Sequence, residues 1–398
     1  MLYERFLPTT PAAACRHARR MPRTALLLAC LLLHACAVSE RRTPALDTLA
    51  PLQMPERHYD LADAAAVPSP DLLAIDDEMR AFVQRYTGGM SRARQRLMSL
   101  HRAIRGAATL GVRYDPAAEG TARDVFHGGS ANCLSYATLF VALAREAGLK
   151  AHYQWVDVRP QWSLQGERVL LRLHVNVLVQ PGRSERYMVD IDPLPTREVA
   201  GSRLLSDSDA LALYHANIAM YALADEDIVQ AWLHSARALQ LGPGLAQLWV
   251  NIGAVYRQAG QHRAAERSYM TALDLEPGND SAMNNLVVLY RIEGREEERA
   301  RWERKVEDYR DSNPYYHAWL GDQAAQELDW AEARSNYQQA LKLLPDDSRL
   351  LYSLGIAHHE MKEHEQASRY IRQAIERATL RSDIDTYRLR LQDVEQAL

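Results

Sequence analysis

The chain has 398 residues with 47 basic and 51 acidic side chains, a formal net charge of −4 at pH 7. That balance, with no basic run, gives no electrostatic reason to bind nucleic acid, which is excluded as an expected partner. Only four cysteines are present, Cys15, Cys30, Cys36 and Cys133, so the position of each one matters.

From Met21 the sequence reads MPRTALLLACLLLHAC: one arginine, an apolar stretch from Ala25 to Leu33, then His34-Ala35-Cys36. Such a core is too short to span a bilayer as a mature helix and has the form of a secretory signal. It resembles a bacterial lipoprotein signal with the box Leu33-His34-Ala35-Cys36. The resemblance implies cleavage before Cys36, so that residues 1–35 are signal peptide, and lipidation of the Cys36 sulfur. A second box, Leu27-Leu28-Ala29-Cys30, leaves too short an apolar core if translation starts at Met21, which is the expected start. Ala37, with no aspartate there, resembles lipoproteins sent to the outer membrane when the source is Gram-negative. The expected location is the cell envelope, lipid-anchored and facing the periplasm. Residues 1–36 carry five arginines and one glutamate, so removing them leaves 42 basic against 50 acidic residues, a net of −8.

Cys15 and Cys30 leave with the signal and Cys36 takes lipid, so Cys133 is the one remaining free thiol. A leftover cysteine in an exported protein is either buried and inert or a reactive thiol.

Residues 36–69 are rich in alanine, proline and charge without an apolar period, and read as a tether. Helical spacing begins in LLAIDDEMRAFVQRY and SRARQRLMSLHRAIRGAATL. Next comes FHGGSANCLSYATLFVALAREAGL, a glycine turn that becomes a helix at Cys133. Ser130 or Asn132 can cap that helix, Leu139, Phe140, Leu143 and Ala147 form its buried stripe, and Gly148 stops it. A cysteine in the first turn sits at the positive end of the helix dipole, beside backbone N–H groups that stabilise a thiolate and can cradle an oxyanion.

Strand-like runs follow: AHYQWVDV, VLLRLHVNVLV and ERYMVDI, the last two parted by the turn Pro181-Gly182. Alternation puts Leu173, Val175 and Val177 on one face and His174 and Asn176 on the other. Asp190 and Asp192 share a face opposite Val189 and Ile191. A small antiparallel sheet therefore offers a histidine and a carboxylate after a cysteine-bearing helix, as a thiol nucleophile needs a base and the base an orienting acceptor.

The motifs NCLSYATLFVALAREAGLKA, HVNVLV and YMVDIDP, in that order, resemble the transglutaminase-like superfamily over roughly residues 70–200. RYMVDI also looks like the aspartate strand of the related arylamine N-acetyltransferases. The resemblance implies an α+β, papain-like domain over residues 70–204, with Cys133 as nucleophile, His174 as general base and Asp190 orienting the imidazole. Asp192, before Pro193, is the alternative third member. No His-Ala-Trp follows the strand histidine, so the resemblance is to a divergent branch.

The second half repeats with a period of 34. Asn217, Asn251 and Asn285 keep it, as do Ala231 and Ala265, Ala238 and Ala272, and Pro243 and Pro277. WVNIGAVYRQAGQHRAAERSYMTALDLEP places Trp249, Gly253, Tyr256, Ala265, Tyr269, Ala272 and Pro277 at tetratricopeptide positions. Five repeats are predicted over 212–379, the third degenerate in its second helix, closed by a capping helix over 380–398: an all-α solenoid. Such stacks take extended peptides or helices in their groove, so a protein or peptide partner is expected, with partner binding confined to residues 212–398.

Other signals carry less. In HHEMKEHE, His359 and His364 stand five apart rather than the four that puts two ligands on one helix face, so a solvated turn and no metal is expected. His127 reads as a surface-loop residue, and Trp155 and Trp162 either line a cleft or pack. No phosphate-cradling glycine loop precedes a helix, so no cofactor is expected. Two functions follow: an envelope cysteine acyl-transfer enzyme, protease or amidase acting on peptide or amide bonds, or a non-catalytic adaptor lipoprotein binding partners through its repeats.

Overall fold

The computed structural model describes residues 3–5, 44–158, 161–162, 169–170, 174–182, 186–192, 199–378 and 381–397. The Cys36 box lies outside them.

Helix Cys133–Glu146 is the centre of the first domain. Every residue from Leu134 to Ala144 is buried, which a sequence apolar on nearly all sides requires. Helices Asp77–Thr87, Ala93–Arg105 and Ala122–Gly128 pack around it, and a sheet covers it from another side. Strands Arg186–Val189, His174–Gln180, Lys150–Val158 and Val199–Leu205 lie in that order, each antiparallel to its neighbour, with Tyr3–Arg5 outside Arg186–Val189.

Two features of the sheet depart from the sequence reading. Strand Val199–Leu205 was not anticipated, because VAGSRLL carries a glycine and no alternation; its register shifts between Val199 and Gly201. The polar face of the His174 strand is buried as well as the apolar one: His174 through Val179 are all buried. Polar residues there face a covered site rather than solvent.

The repeats form five helix pairs: Asp207–Ala224 with Ile228–Leu241, Ala246–Gln258 with His262–Leu275, Asp280–Glu293 with Glu296–Ser312, Pro314–Gln326 with Trp330–Leu343, and Ser348–Glu360 with His364–Arg377. Helix Arg381–Gln396 closes the array, burying Tyr387 and Val394. The second helix of the third pair buries only Trp302 and Val306, which is why its sequence lost the repeat pattern.

Glycine marks the closest approaches. A Cβ on Gly253 would sit 2.5 Å from the Tyr269 ring, and one on Gly321 would sit 2.5 Å from the ring of Tyr337. In an exposed helix, Gly→Ala stabilises by about 1 kcal/mol. Here the overpacking reverses the sign, and Gly253→Ala is expected to cost about 1–3 kcal/mol, seen as a lower urea midpoint with an unchanged slope.

The segment expected to be a tether is packed from Leu46 onward. Leu52 is fully buried. The Tyr256 hydroxyl donates to the Ala50 carbonyl. The Gln261 amide donates to Pro51 O at 3.0 Å and accepts from Gln53 N at 2.8 Å. Helix Leu61–Ala65, closed by an Asp60–Asp63 capping box, lies on Ile228–Leu241, and Gln240 Nε2 donates to Leu61 O at 2.8 Å. An extended segment held through its backbone and a few irregularly spaced apolar side chains needs no apolar period, so composition alone could not reveal this docking.

The two halves share one buried cluster that runs from Leu139 and Val177 through Leu213 to Trp232 and Tyr256. Ser206 caps the first repeat helix immediately after the last strand, and Asp207 accepts from Arg145 Nη1 and Nη2 at 2.6 and 2.9 Å.

Candidate active site

Cys133 is the first residue of its helix and is half-buried. Gly129, in the left-handed region at φ 69°, ends helix Ala122–Gly128 and lets the chain reverse through Ser130–Ala131. Of the two candidate caps, Asn132 takes the role: its Oδ1 accepts from Ser135 N at 2.9 Å, and Ser135 Oγ accepts from Asn132 N at 3.0 Å. This box fixes the first turn, and with it the direction of the Cys133 side chain. Ser135 Oγ also donates to Ala118 O at 2.7 Å, which braces the turn from behind.

The sheet brings His174 and Asp190 together. His174 Nε2 lies 2.5 Å from Asp190 Oδ2, with both side chains over nine-tenths buried. The Cys133 sulfur is the ring's other close neighbour and favours its charged form. With Nε2 on the carboxylate, Nδ1 is the ring nitrogen available to sulfur. Burial pulls the imidazole pKa down, but the hydrogen bonds to Asp190 and Cys133 and their negative charge outweigh it and hold His174 above its ordinary value. Asp190 is itself held: Asn176 Nδ2 donates to Oδ2 at 3.5 Å and Asp192 N to Oδ1 at 3.1 Å. Arg105 Nη1 fixes this loop through Ile191 O at 2.6 Å.

The geometry separates the two aspartates. Asp190 meets the imidazole, while the side chain of Asp192 is exposed and only its backbone N–H takes part. Strand pairing ends at Val189, before both carboxylates, so the strand face expected to hold the two together is not formed.

Several participants were not foreseen as such. Glu119 Oε1 accepts from Asn132 Nδ2 at 2.5 Å and also from Asn217 Nδ2 of the first repeat helix. Burial raises its pKa, against the pull of those two amides. Glu119 thus ties the cap of the Cys133 helix to the repeats. Trp155, left open between packing and cleft, lines the cleft over Cys133. The side chain of Trp162 lies outside the described residues.

Other expected features fall elsewhere. His127 belongs to helix Ala122–Gly128, not a loop, and its Nε2 pairs with Asp76 Oδ2 at 2.8 Å, away from the thiol. In HHEMKEHE, His358 is buried rather than solvated, with Nδ1 2.5 Å from Glu363 Oε2 and its ring stacked on Tyr370. His359 and His364 meet at 3.1 Å between Nδ1 atoms. Among the described residues no group of three His, Cys, Asp or Glu side chains converges to hold a metal.

The arrangement is competent for acyl transfer: a thiol at a helix N-terminus, an imidazole shared between it and a carboxylate, and an open cleft above the sulfur. Comparison with known proteins agrees with the architecture. Residues 80–186 match the core model of the transglutaminase-like superfamily, a stretch that includes Cys133 and His174 and stops short of Asp190. Residues 246–279 and 324–386 match tetratricopeptide-repeat models. No curated protein matches the chain. Among solved structures it is similar to the APC/C hetero-tetramer Cut9-Hcn1, at 19% identity over 42% of this chain and 34% of that one, TM-score 0.24. The chain thus spans about a third of that relative's length. It is also similar to YrrB, described as a tetratricopeptide protein with an unusual peptide-binding site, at 17% identity over 42% of this chain and 86% of that one, TM-score 0.23. A third is pilF of Pseudomonas aeruginosa, at 16% identity over 48% of this chain and 87% of that one, TM-score 0.25.

Proposed function

We propose that this chain, which carries a transglutaminase-like core domain followed by tetratricopeptide repeats, is a cell-envelope cysteine enzyme acting on peptide or amide bonds. The observation that carries the reading is the buried His174–Asp190 pair beside the Cys133 thiol, which lines an open cleft. Sulfur attacks the carbonyl carbon, and first-turn amides take the developing oxyanion. The His174 imidazolium hands its proton to the departing amine as the C–N bond breaks, leaving a thioester. Water or an amine then attacks the thioester and gives its proton back to His174, and the thiolate leaves. Water as acceptor makes the enzyme a protease or amidase; an amine makes it a transferase.

A thiol-directed activity probe applied to the intact envelope tests this. Labelling of wild type that is lost in Cys133→Ala is expected. A probe that ignores Cys133 in the folded protein leaves the chain as an adaptor acting through its repeats.

The repeats give the chain a protein-interaction role, and the proposed partner is a protein or peptide. The proposed anchor is lipid on Cys36, carried to the outer membrane if the source is Gram-negative. Metabolic labelling with a palmitate analogue is expected to mark the protein through Cys36; label surviving Cys36→Ala would sink the assignment.

A further inference from the structure

The cleft over Cys133 has two walls of different origin. The Cys133 domain supplies Leu134, Trp155 and Val175. Facing them is the first helix of the repeat array, Asp207–Ala224, with Leu213, Met220 and Tyr221. The space between is about 480 Å³, and none of its lining residues is ionisable at neutral pH apart from the thiol. Its polar side chains are amides and hydroxyls, and the two amides are spoken for: Asn132 and Asn217 both donate to Glu119, behind the cleft. The second wall is also pinned. Tyr221 donates its hydroxyl to Pro116 O at 3.0 Å, and Asn217 is tied through Glu119 to the cap of the nucleophile's own helix.

We propose that helix Asp207–Ala224 is the specificity wall of the active site, and that the acyl donor carries an uncharged, apolar side chain beside the carbonyl attacked by Cys133. This rests on the reading of Cys133 as nucleophile. A lysyl or glutamyl side chain entering this cleft would meet no charged partner among the residues that line it, whereas an aliphatic or aromatic one replaces water against Leu213, Met220 and Trp155. The first repeat helix is therefore part of the catalytic cleft. Met220 is the residue best placed to set the preference: it is partly exposed, it faces the cleft, and it takes no part in the imidazole or cap hydrogen bonds.

Three peptidyl acyloxymethyl ketones that differ only in the side chain beside the ketone (leucyl, lysyl and glutamyl) test the proposal in the full chain. The readout is the second-order rate of Cys133 modification, followed by intact mass. The leucyl probe is expected to react at least about tenfold faster than either charged one. Met220→Glu is expected to slow the leucyl probe and speed the lysyl probe, so that their ratio falls by about tenfold or more. Met220→Gln, which adds no charge, should slow the leucyl probe with less effect on the lysyl one, and covers the case in which the glutamate variant does not fold. Equal rates for all three probes would overturn the apolar preference. An unchanged ratio in both variants would overturn the role of the helix. Failure of every probe to modify Cys133 overturns the nucleophile reading beneath the proposal and the proposal with it, an outcome distinct from unselective labelling.

Discussion

Replacing His174 by alanine is expected to lower amide turnover by about 10³–10⁴-fold, with the substrate KM little changed. The imidazole is the base placed beside the Cys133 thiol, and it serves twice, as acceptor of the thiol proton and as donor to the leaving amine. Asp190→Ala removes the group that holds Nε2 and is expected to cost about 10²-fold or more, because the ring loses its fixed tautomer and aim. Asp190→Asn keeps a carbonyl oxygen that can still accept from Nε2, so its loss is expected to be smaller than that of alanine. A steady-state comparison of the three variants, each checked for a native thermal transition, decides the ranking.

The same pair sets a pH dependence. His174 titrates above its ordinary value because Asp190 and Cys133 favour the charged ring against the pull of burial. A raised folded-state value means that the protonated ring contributes its full stability below the unfolded value of about 6.5. That contribution is lost as pH rises through the raised folded value. The Tm difference between wild type and His174→Ala is therefore expected to be largest at mildly acidic pH and to shrink on the alkaline side. A difference that grows with pH contradicts the assignment.

The second large effect concerns the repeats. Ending the chain after Leu205 is expected to leave no folded catalytic domain, with a loss comparable to the whole stability of a domain, about 5–15 kcal/mol. The sequence reading instead treats a catalytic unit over residues 70–204 and partner binding over 212–398 as separate parts. The structure removes the basis for that division. Leu213 and Ala216 are buried in the same cluster as Leu139 and Val177. Arg145 would lose Asp207, Glu119 would lose Asn217, and Pro116 would lose the Tyr221 hydroxyl. One wall of the cleft would go with them. Circular dichroism and limited proteolysis of a fragment ending at Leu205 provide the check. A cooperative melt with Cys133 reactivity intact would restore the two-unit view.

Much of this was legible from local pattern. The 34-residue period exposes the repeats because the same small residues must recur wherever paired helices touch, as Gly253 and Gly321 do against tyrosine rings. The Cys133 helix is readable because its cap, its apolar body and its stop are written consecutively. His174 and Asp190 come from strand alternation and from the order of the motifs. What escaped depends on distant chain segments. Strand Val199–Leu205 is held by its partner Lys150–Val158 rather than by its own composition. Leu46 to Ala65 docks through backbone groups and through irregularly spaced apolar side chains such as Leu49, Leu52 and Met54. Glu119 looks like any loop glutamate until Asn132 and Asn217, far apart in sequence, converge on one of its oxygens. The choice of Asp190 over Asp192 turns on where the strand stops, which propensity places only to within a residue or two.

The central claim is that the fold couples Cys133 to His174 to make a reactive thiol. Alkylation of Cys133 by iodoacetamide near neutral pH, followed by intact mass in the folded full-length protein and in its His174→Ala variant, tests it most directly. Wild type is expected to be alkylated at Cys133 at least about tenfold faster than the variant, with both proteins still folded. Equal rates in the two proteins, or no reaction in either until denaturant unfolds the chain, would contradict it.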